Sequence, residues 1–362
     1  MSRTSGPIAY HADDQFRRYL AIGARIGHGL NSTVLVNQLP TSRLSLGPLL
    51  QQRIDAPAVA AAGFSKPFPS FPSNQTLAQA LRPFPQYFDL YEINAGVGRS
   101  WYDSLQVKLE RRFGDVQMMG AYTFSKTLGI GHFRQIFNQA FGTAGYNVAA
   151  QDNYNYNEMK SYQPFDLPHV FNALLSYDLP IGKGKKYLKS SKFVSNLVFG
   201  GWNISGIARY QSGPLIEAQA PANTLGTGVL FTFLKKANVG SGPIRTGIDR
   251  TKLDPNDPST RWFNAAAFTI PGQYELGSAA AFYGDFRNPP VLDERIAIQK
   301  RMKFPVREDR SVDLIYRVDA FNVFNRTSFG NIVGVIGNPN FGRPTGPQTG
   351  ARLITMGLRL DF

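Results

Sequence analysis

The chain has 362 residues, a formal net charge of +14 and no cysteine. That length allows one large all-β unit or two ordinary domains, and the missing cysteines exclude a disulfide framework and a thiolate metal site. Gly 35, Pro 24, Tyr 16 and Phe 27 exclude a long helical repeat or a disordered tail and point to many turns and aromatic strand positions.

The basic residues are scattered, with local runs only at turns, Arg111-Arg112 and Lys183-Gly-Lys-Lys186. That distribution suits a polar lumen and turn surface better than a stripe tracking phosphates, so nucleic acid is not an expected partner. No apolar run reaches the ~18 residues of a spanning helix, so any passage through a membrane is by strands. Met1-Ser-Arg-Thr-Ser-Gly6 shows no charged region followed by an apolar core, and no secretion signal is read there.

In chain order, residues 16–27 form a first, weaker strand candidate. A long Pro-, Ser- and Ala-containing stretch follows to about residue 100, and Phe68-Pro-Ser-Phe-Pro72 and Arg82-Pro-Phe-Pro85 rule out strand or helix interior there. In 102–113, Leu105, Val107, Leu109 and Phe113 alternate with polar residues, and Val116, Met118, Tyr122 and Phe124 do so in 116–126. With Gly114-Asp115 between them these predict a hairpin.

A polar, aromatic loop over 129–166 contains Gln151-Asp-Asn-Tyr-Asn-Tyr-Asn157. Strands are predicted over 167–179 and, after a basic turn, 198–211. Residues 212–291 read as loop, with short strands at Pro214–Ala220 and Trp262–Ile270. A strand over 292–304, a charged turn (Pro305–Arg310), a strand over 312–325 and a Gly/Pro/Asn loop over 326–352 complete the approach to the last strand.

The chain ends on Leu353-Ile-Thr-Met-Gly-Leu-Arg-Leu-Asp-Phe362, where Ile354, Met356, Leu358, Leu360 and Phe362 share one face. Strict alternation ending flush on an aromatic fits both the closing strand of an outer-membrane barrel and an edge strand of a soluble sandwich. The connections discriminate between them. From residue 102 onward they run short, long, short, long, short, long, as in barrels with short periplasmic turns and long extracellular loops. With the last strand running inward, 129–166, 212–291 and 326–352 all lie outside. The expected fold is therefore all-β, an antiparallel transmembrane β-barrel of outer-membrane type.

Residues for catalysis are not found, and no enzyme is expected. His11, His28, His132 and His169 have no metal-ligand spacing. There is no G-x-S-x-G elbow, Walker loop or dinucleotide fingerprint, and Gly182-Lys-Gly-Lys-Lys186 reads as a basic tight turn. No catalytic, cofactor or metal residue is assigned.

The aromatics carry a physical message instead. Tyr122, Phe124, Tyr177, Trp202, Tyr210 and Tyr316 occupy the positions expected of lipid–water girdles. Tyr154, Tyr156 and Tyr162 are candidate ligand contacts of the outer loop, and a solvated loop is the alternative.

The series from Asn94-Ala-Gly-Val-Gly-Arg-Ser-Trp-Tyr-Asp-Ser-Leu-Gln-Val-Lys-Leu-Glu-Arg-Arg-Phe113 through Tyr122-Thr-Phe-Ser-Lys126 and Asp166-Leu-Pro-His-Val-Phe171 resembles the barrel of Oar-like TonB-dependent transporters. Leu179-Pro-Ile-Gly-Lys-Gly-Lys185, Gly200-Gly-Trp-Asn-Ile-Ser-Gly206, Gln211-Ser-Gly213 and Trp262-Phe-Asn-Ala-Ala-Ala-Phe268 continue it. Asp319-Ala-Phe-Asn-Val-Phe-Asn325 and Asn340-Phe-Gly-Arg343 close the ordered series. Such proteins carry a carboxypeptidase-regulatory-like domain ahead of a plug, and a barrel of about 22 strands around it.

The resemblance implies uptake of a bulky substrate across the outer membrane of a Gram-negative bacterium. Only about 8–12 strands are read here, so the expectation is one partial barrel domain over residues 1–362, the C-terminal part of a larger barrel. Plug and signal peptide are absent from it; it is a gene fragment or a chain whose true start lies upstream. Expected partners are outer-membrane lipid, the missing N-terminal barrel and plug portion, the barrel-assembly machinery through the closing strand, and the TonB complex only through the missing part. Two other classes stay open, a small self-closing porin or adhesin-type barrel and a soluble β-rich carbohydrate-binding protein.

Overall fold

The computed structural model describes residues 8–11, 16–88, 90–130, 133–138, 143–148, 151–189, 192–221, 236–307, 310–327, 329–347 and 350–362. His132 and the tip of the predicted 212–291 loop at 222–235 lie outside the described residues.

Among the described residues sixteen strands follow in chain order. They are β1 (Ile8–His11), β2 (Phe16–Leu35), β3 (Tyr91–Phe113), β4 (Val116–Ile130), β5 (Phe133–Asn138), β6 (Thr143–Val148), β7 (Lys160–Tyr162) and β8 (His169–Asp178). Then come β9 (Trp202–Gln211), β10 (Leu215–Glu217), β11 (Asn238–Val239), β12 (Phe268–Thr269), β13 (Phe282–Arg287), β14 (Val291–Arg307), β15 (Arg310–Phe321) and β16 (Leu353–Asp361). Among the described residues three short α-helices, α1 (Pro57–Ala61), α2 (Leu77–Ala80) and α3 (Phe193–Phe199), lie in connections. No helix among the described residues is long and apolar enough to cross a membrane, which says nothing of strands.

Ten strands form one antiparallel sheet in the order β1-β2-β3-β4-β8-β9-β14-β15-β16, with β7 added to the end of β4. Neighbours in space are neighbours in sequence once the loop strands are set aside, the topology of an up-and-down wall. β10 pairs with β13, β11 with β12 and β5 with β6 in small separate sheets. The sheet is not closed: among the described residues β1 and β16 are not paired with each other.

The predicted strands are present, with differences at their ends. β3 begins at Tyr91 rather than 102 and β2 runs on to Leu35, pairing past register shifts between Gly23 and Ile26 and between Leu30 and Val34. β9 begins at Trp202 rather than 198 because Val198 and Phe199 belong to α3. Gly201 makes the break: its φ is +72°, and a Cβ there would stand 2.1 Å from the Arg301 carbonyl oxygen, a place for glycine alone.

β15 stops at Phe321 because Asn322 and Asn325 both take φ of 49°, the left-handed region that asparagine tolerates. β14 continues through Pro305 to Arg307 with a register shift between them, the bulge at which a strand accommodates proline. The Phe68–Pro72 and Arg82–Pro85 stretches form no strand or helix.

The alternation of connections extends further than the sequence reading took it. Residues 36–90 join β2 to β3 at the same end as 131–168, 212–290 and 322–352, while Gly114-Asp115 and 179–201 lie at the other. The four long connections interlock. Gln38 takes the Asn153 backbone N–H at 2.8 Å, Tyr274 donates to Gln51 at 3.0 Å, and Ile332 N–H donates to Asn288 at 3.1 Å. Their apolar side chains make a core of their own, in which Phe263, Phe286 and Phe341 pack ring to ring at 4.5 to 6.1 Å.

Candidate functional site

The register of the sheet sorts its side chains into two faces. Tyr122 is opposite Phe171, and Phe171 opposite Tyr210. Met118, Leu175, Gly206 and Ile296 make the next row but one, and Tyr316 and Leu358 continue the face onto the last strands. This face is mainly apolar from β3 to β16, with Arg111 opposite Met118 as an exception on β3. It is also uncovered: Leu175 is 49% exposed, Ile298 41% and Leu358 70%. A contiguous exposed apolar face of this extent has no place in water, and in hydrocarbon it is the wall's proper surface.

The opposite face holds the charges. Arg295 pairs with Asp293, Arg317 with Asp319, and Arg359 with Asp361, at 2.6, 2.7 and 2.6 Å. Lys108 pairs with Glu110 at 3.1 Å, and Asn203 donates to Ser176 and Asp178. Each ion pair joins residues two apart on one strand, the spacing that puts both side chains on one face. They stand in solvent and add little stability each; together they keep this face wet.

The predicted girdle residues fall at two levels of the apolar face. Tyr122, Phe124 and Tyr210 gather at the long-loop end, where Phe171 stacks on Tyr210 at 6.1 Å and the Tyr122 hydroxyl meets His169 Nδ1 at 2.8 Å. Tyr177, Trp202 and Tyr316 lie toward the short-turn end, Trp202 and Tyr316 both opposite Lys300. Trp202 and Tyr210 are eight residues apart on β9, roughly 26 Å along the strand. At a strand tilt of ~40° that is about 20 Å of height, close to the apolar band of an outer-membrane barrel.

Of the closing-strand residues, Ile354, Met356, Leu358 and Leu360 lie on this face of β16, and Phe362 follows β16 as the most exposed. Two charged residues of β14 stand on this face: Lys300, which is buried, and Glu294, which is buried against Arg326 of the last long connection at 2.6 Å. Pairing makes a carboxylate tolerable there.

The three loop tyrosines are held by two different sets of groups. Tyr154 donates to the Gln38 carbonyl at 2.7 Å and Tyr156 to Asn153 Oδ1 at 3.0 Å, so both hydroxyls serve the junction between the first two long connections. Tyr162 pairs with Leu128 on β4, with Lys126 5.3 Å and Arg287 5.8 Å from its ring centre.

Burial and the nearby Glu92 carboxylate push Tyr156 from 10.0 up to about 12. Its folded pKa lies above its unfolded one. The stability it contributes is whole below about pH 10 and is lost as the pH rises toward 12. Absorbance titration near 295 nm is expected to show one tyrosinate in the native cap appearing only near pH 12, absent from Tyr156→Phe.

The strongest tie in the cap was not foreseen. The Asp166 carboxylate, fully buried, binds Arg287 and accepts from the Thr127 backbone N–H. Arg287 also donates to the Gly284 carbonyl at 2.7 Å and to the Asp166 carbonyl. Arg245 lies 3.2 Å over the Trp262 ring, and burial pulls it down to about 10. No single-strand pattern marks these residues; Asp166 and Trp262 stood out only as members of the ordered motif series.

A family model described as an outer membrane beta barrel domain matches residues 22–355, from within β2 to within β16. No curated protein and no solved structure matches the chain at a significant level. The greasy face, the charged face and this match agree: the chain belongs to the outer membrane β-barrel domain family, and its place is the outer membrane.

Proposed function

We propose that the chain is the C-terminal barrel portion of an Oar-like TonB-dependent transporter of a Gram-negative outer membrane, serving uptake of a bulky substrate. The observation that carries this is the open wall. Among the described residues ten strands belong to one sheet, and β1 and β16 are not joined. An unpaired edge in hydrocarbon costs several kcal/mol for each polar group left without a partner, so such a wall calls for further strands.

Two features support a large plugged barrel over a small one. The charged face fits a wide aqueous lumen. It is interrupted by Met119, Leu174 and Ile207, side by side in register, with Ile207 more than half exposed. An apolar row on a lumen wall suits contact with another piece of protein, such as a plug. The interlocked cap would then meet the substrate, and Tyr154 and Tyr162 are its candidate contacts. The TonB complex would act through the remainder of the transporter, and the chain itself performs no chemistry.

The test is the DNA directly upstream of Met1, translated in the same frame. An open frame encoding an export signal, a plug and a TonB-contacting segment supports transport. Stop codons and no export signal contradict it. Heat-modifiable migration of the purified chain alone would instead favour a small self-closing barrel.

A further inference from the structure

The connection between β8 and β9 holds more than a turn requires. It lies at the short-turn end of the wall, where a two-residue turn suffices between β3 and β4. Its helix α3 is laid on the apolar face: Phe193 meets Phe304 edge-on at 6.3 Å, and Trp202 Nε1 donates to the Val198 carbonyl at 3.3 Å. Lys300 reaches up from β14 and donates to the carbonyls of Val198 and Gly200 at 2.7 and 2.6 Å. A cation is thereby fixed at the helix C-terminus, where it is favoured, and the helix is pinned to the wall.

Much of the apolar surface of α3 is nevertheless left exposed among the described residues. Phe193, Val194, Val198 and Phe199 are each more than half exposed, Val194 at 68%. Just before them come Lys183, Lys185, Lys186, Lys189 and Lys192, interleaved with the exposed Tyr187 and Leu188. The acidic residues on this end of β4 and β8 are Asp115 and Asp178; Asp115 pairs with Lys185 and Asp178 accepts from Asn203. Lys183, Lys186, Lys189 and Lys192 remain exposed, beside a helix whose own apolar side chains are more than half exposed at the membrane boundary.

We propose that residues 183–189 and 192–199 form an interfacial anchor that docks on the headgroups of anionic phospholipid at the periplasmic side of the membrane. The lysines would contact phosphates, and Phe193, Val194, Val198 and Phe199 the acyl boundary. Basic residues interleaved with exposed apolar ones at an interface are the chemistry that selects an anionic leaflet. The inference rests on membership of the barrel family and on β16 running inward, and it stands whatever the substrate.

Trp202 sits under α3 and reports its surroundings. The full chain is refolded in dodecylmaltoside micelles containing phosphatidylglycerol or phosphatidylcholine brominated on the acyl chains. Trp202→Phe serves to subtract the other two tryptophans. Brominated phosphatidylglycerol is expected to quench Trp202 at a mole fraction at least ~10-fold below that needed with phosphatidylcholine, since each lysine near an anionic surface contributes roughly fivefold.

In the quadruple variant Lys183→Gln, Lys186→Gln, Lys189→Gln, Lys192→Gln the two lipids should quench alike, with quenching itself retained. Should that variant fail to fold, raising the salt on the native chain to ~0.5 M should erase the same preference. Equal quenching by both lipids in the native chain overturns the anionic docking. No quenching by either overturns contact of α3 with the membrane.

Discussion

Leu175→Arg is expected to weaken folding into bilayers by about 2–4 kcal/mol, while Thr123→Arg on the neighbouring strand changes it by about 0.5 kcal/mol or less. Leu175 lies mid-strand on the apolar face, between Met118 and Gly206 in register. An arginine there places a guanidinium in hydrocarbon, too far from either interface to be fully relieved by bending its stem. Thr123 lies on the other face, opposite Gln106 and Val170, where an arginine joins a surface already carrying ion pairs and water. Reversible urea unfolding from phospholipid vesicles measures both. Equal losses at the two positions would mean that both faces meet the same solvent, as in a soluble sheet.

The second large effect concerns the cap. Removing one partner of a buried ion pair strands the other without solvent and costs roughly 3–5 kcal/mol. Asp166 is fully buried and Arg287 nearly so, and together they join the second and third long connections to the top of β4. Arg287→Ala is therefore expected to open the cap, not the wall. Cleavage of the long connections by added protease should rise on the order of 10²–10³-fold, in the regime where cutting follows the open population. Urea unfolding of the wall from phospholipid vesicles should be unchanged. Asp166→Asn, which keeps shape and loses charge, should fall between. Unaltered proteolysis of Arg287→Ala would show that the cap is held elsewhere, by its aromatic core.

Strands whose two faces meet different solvents were the legible part of the fold. β4, β8, β15 and β16 alternate cleanly because every second residue meets lipid and the others water, and a one-residue error would invert every side chain. The first half of β3 was not legible: Asn94-Ala-Gly-Val-Gly-Arg99 carries two glycines and no alternation, and its pairing comes from β2. α3 escaped because seven residues make too little helical pattern to separate from the strand after it. The cap was legible only in part. β10 and β12 lie inside the short strands expected at 214–220 and 262–270, but β11 has two residues, and the partners that hold the cap together are remote in sequence, as Arg287 is from Asp166 at a separation of 121 residues.

That Tyr122, Phe124, Tyr177, Trp202, Tyr210 and Tyr316 share the apolar face was legible from the alternation within each strand. The two levels they form, Tyr122 with Tyr210 and Trp202 with Tyr316, depend on register across strands, which no single strand displays. Loop tyrosines gave no comparable signal: Tyr154 and Tyr156 read alike in sequence whether a hydroxyl meets ligand, solvent or the Gln38 carbonyl.

The central claim is that one face of the sheet meets lipid and the other water, and β9 tests it most directly. The chain has no cysteine, so single cysteines from Asn203 to Arg209 can each carry a nitroxide label in the full chain reconstituted in bilayers. Ile204, Gly206 and Ala208 should be relaxed by oxygen, which concentrates in hydrocarbon. Asn203, Ser205, Ile207 and Arg209 should be relaxed by a water-soluble nickel chelate, giving a period of two along the strand. Uniform access of the chelate to all seven positions would contradict a membrane wall.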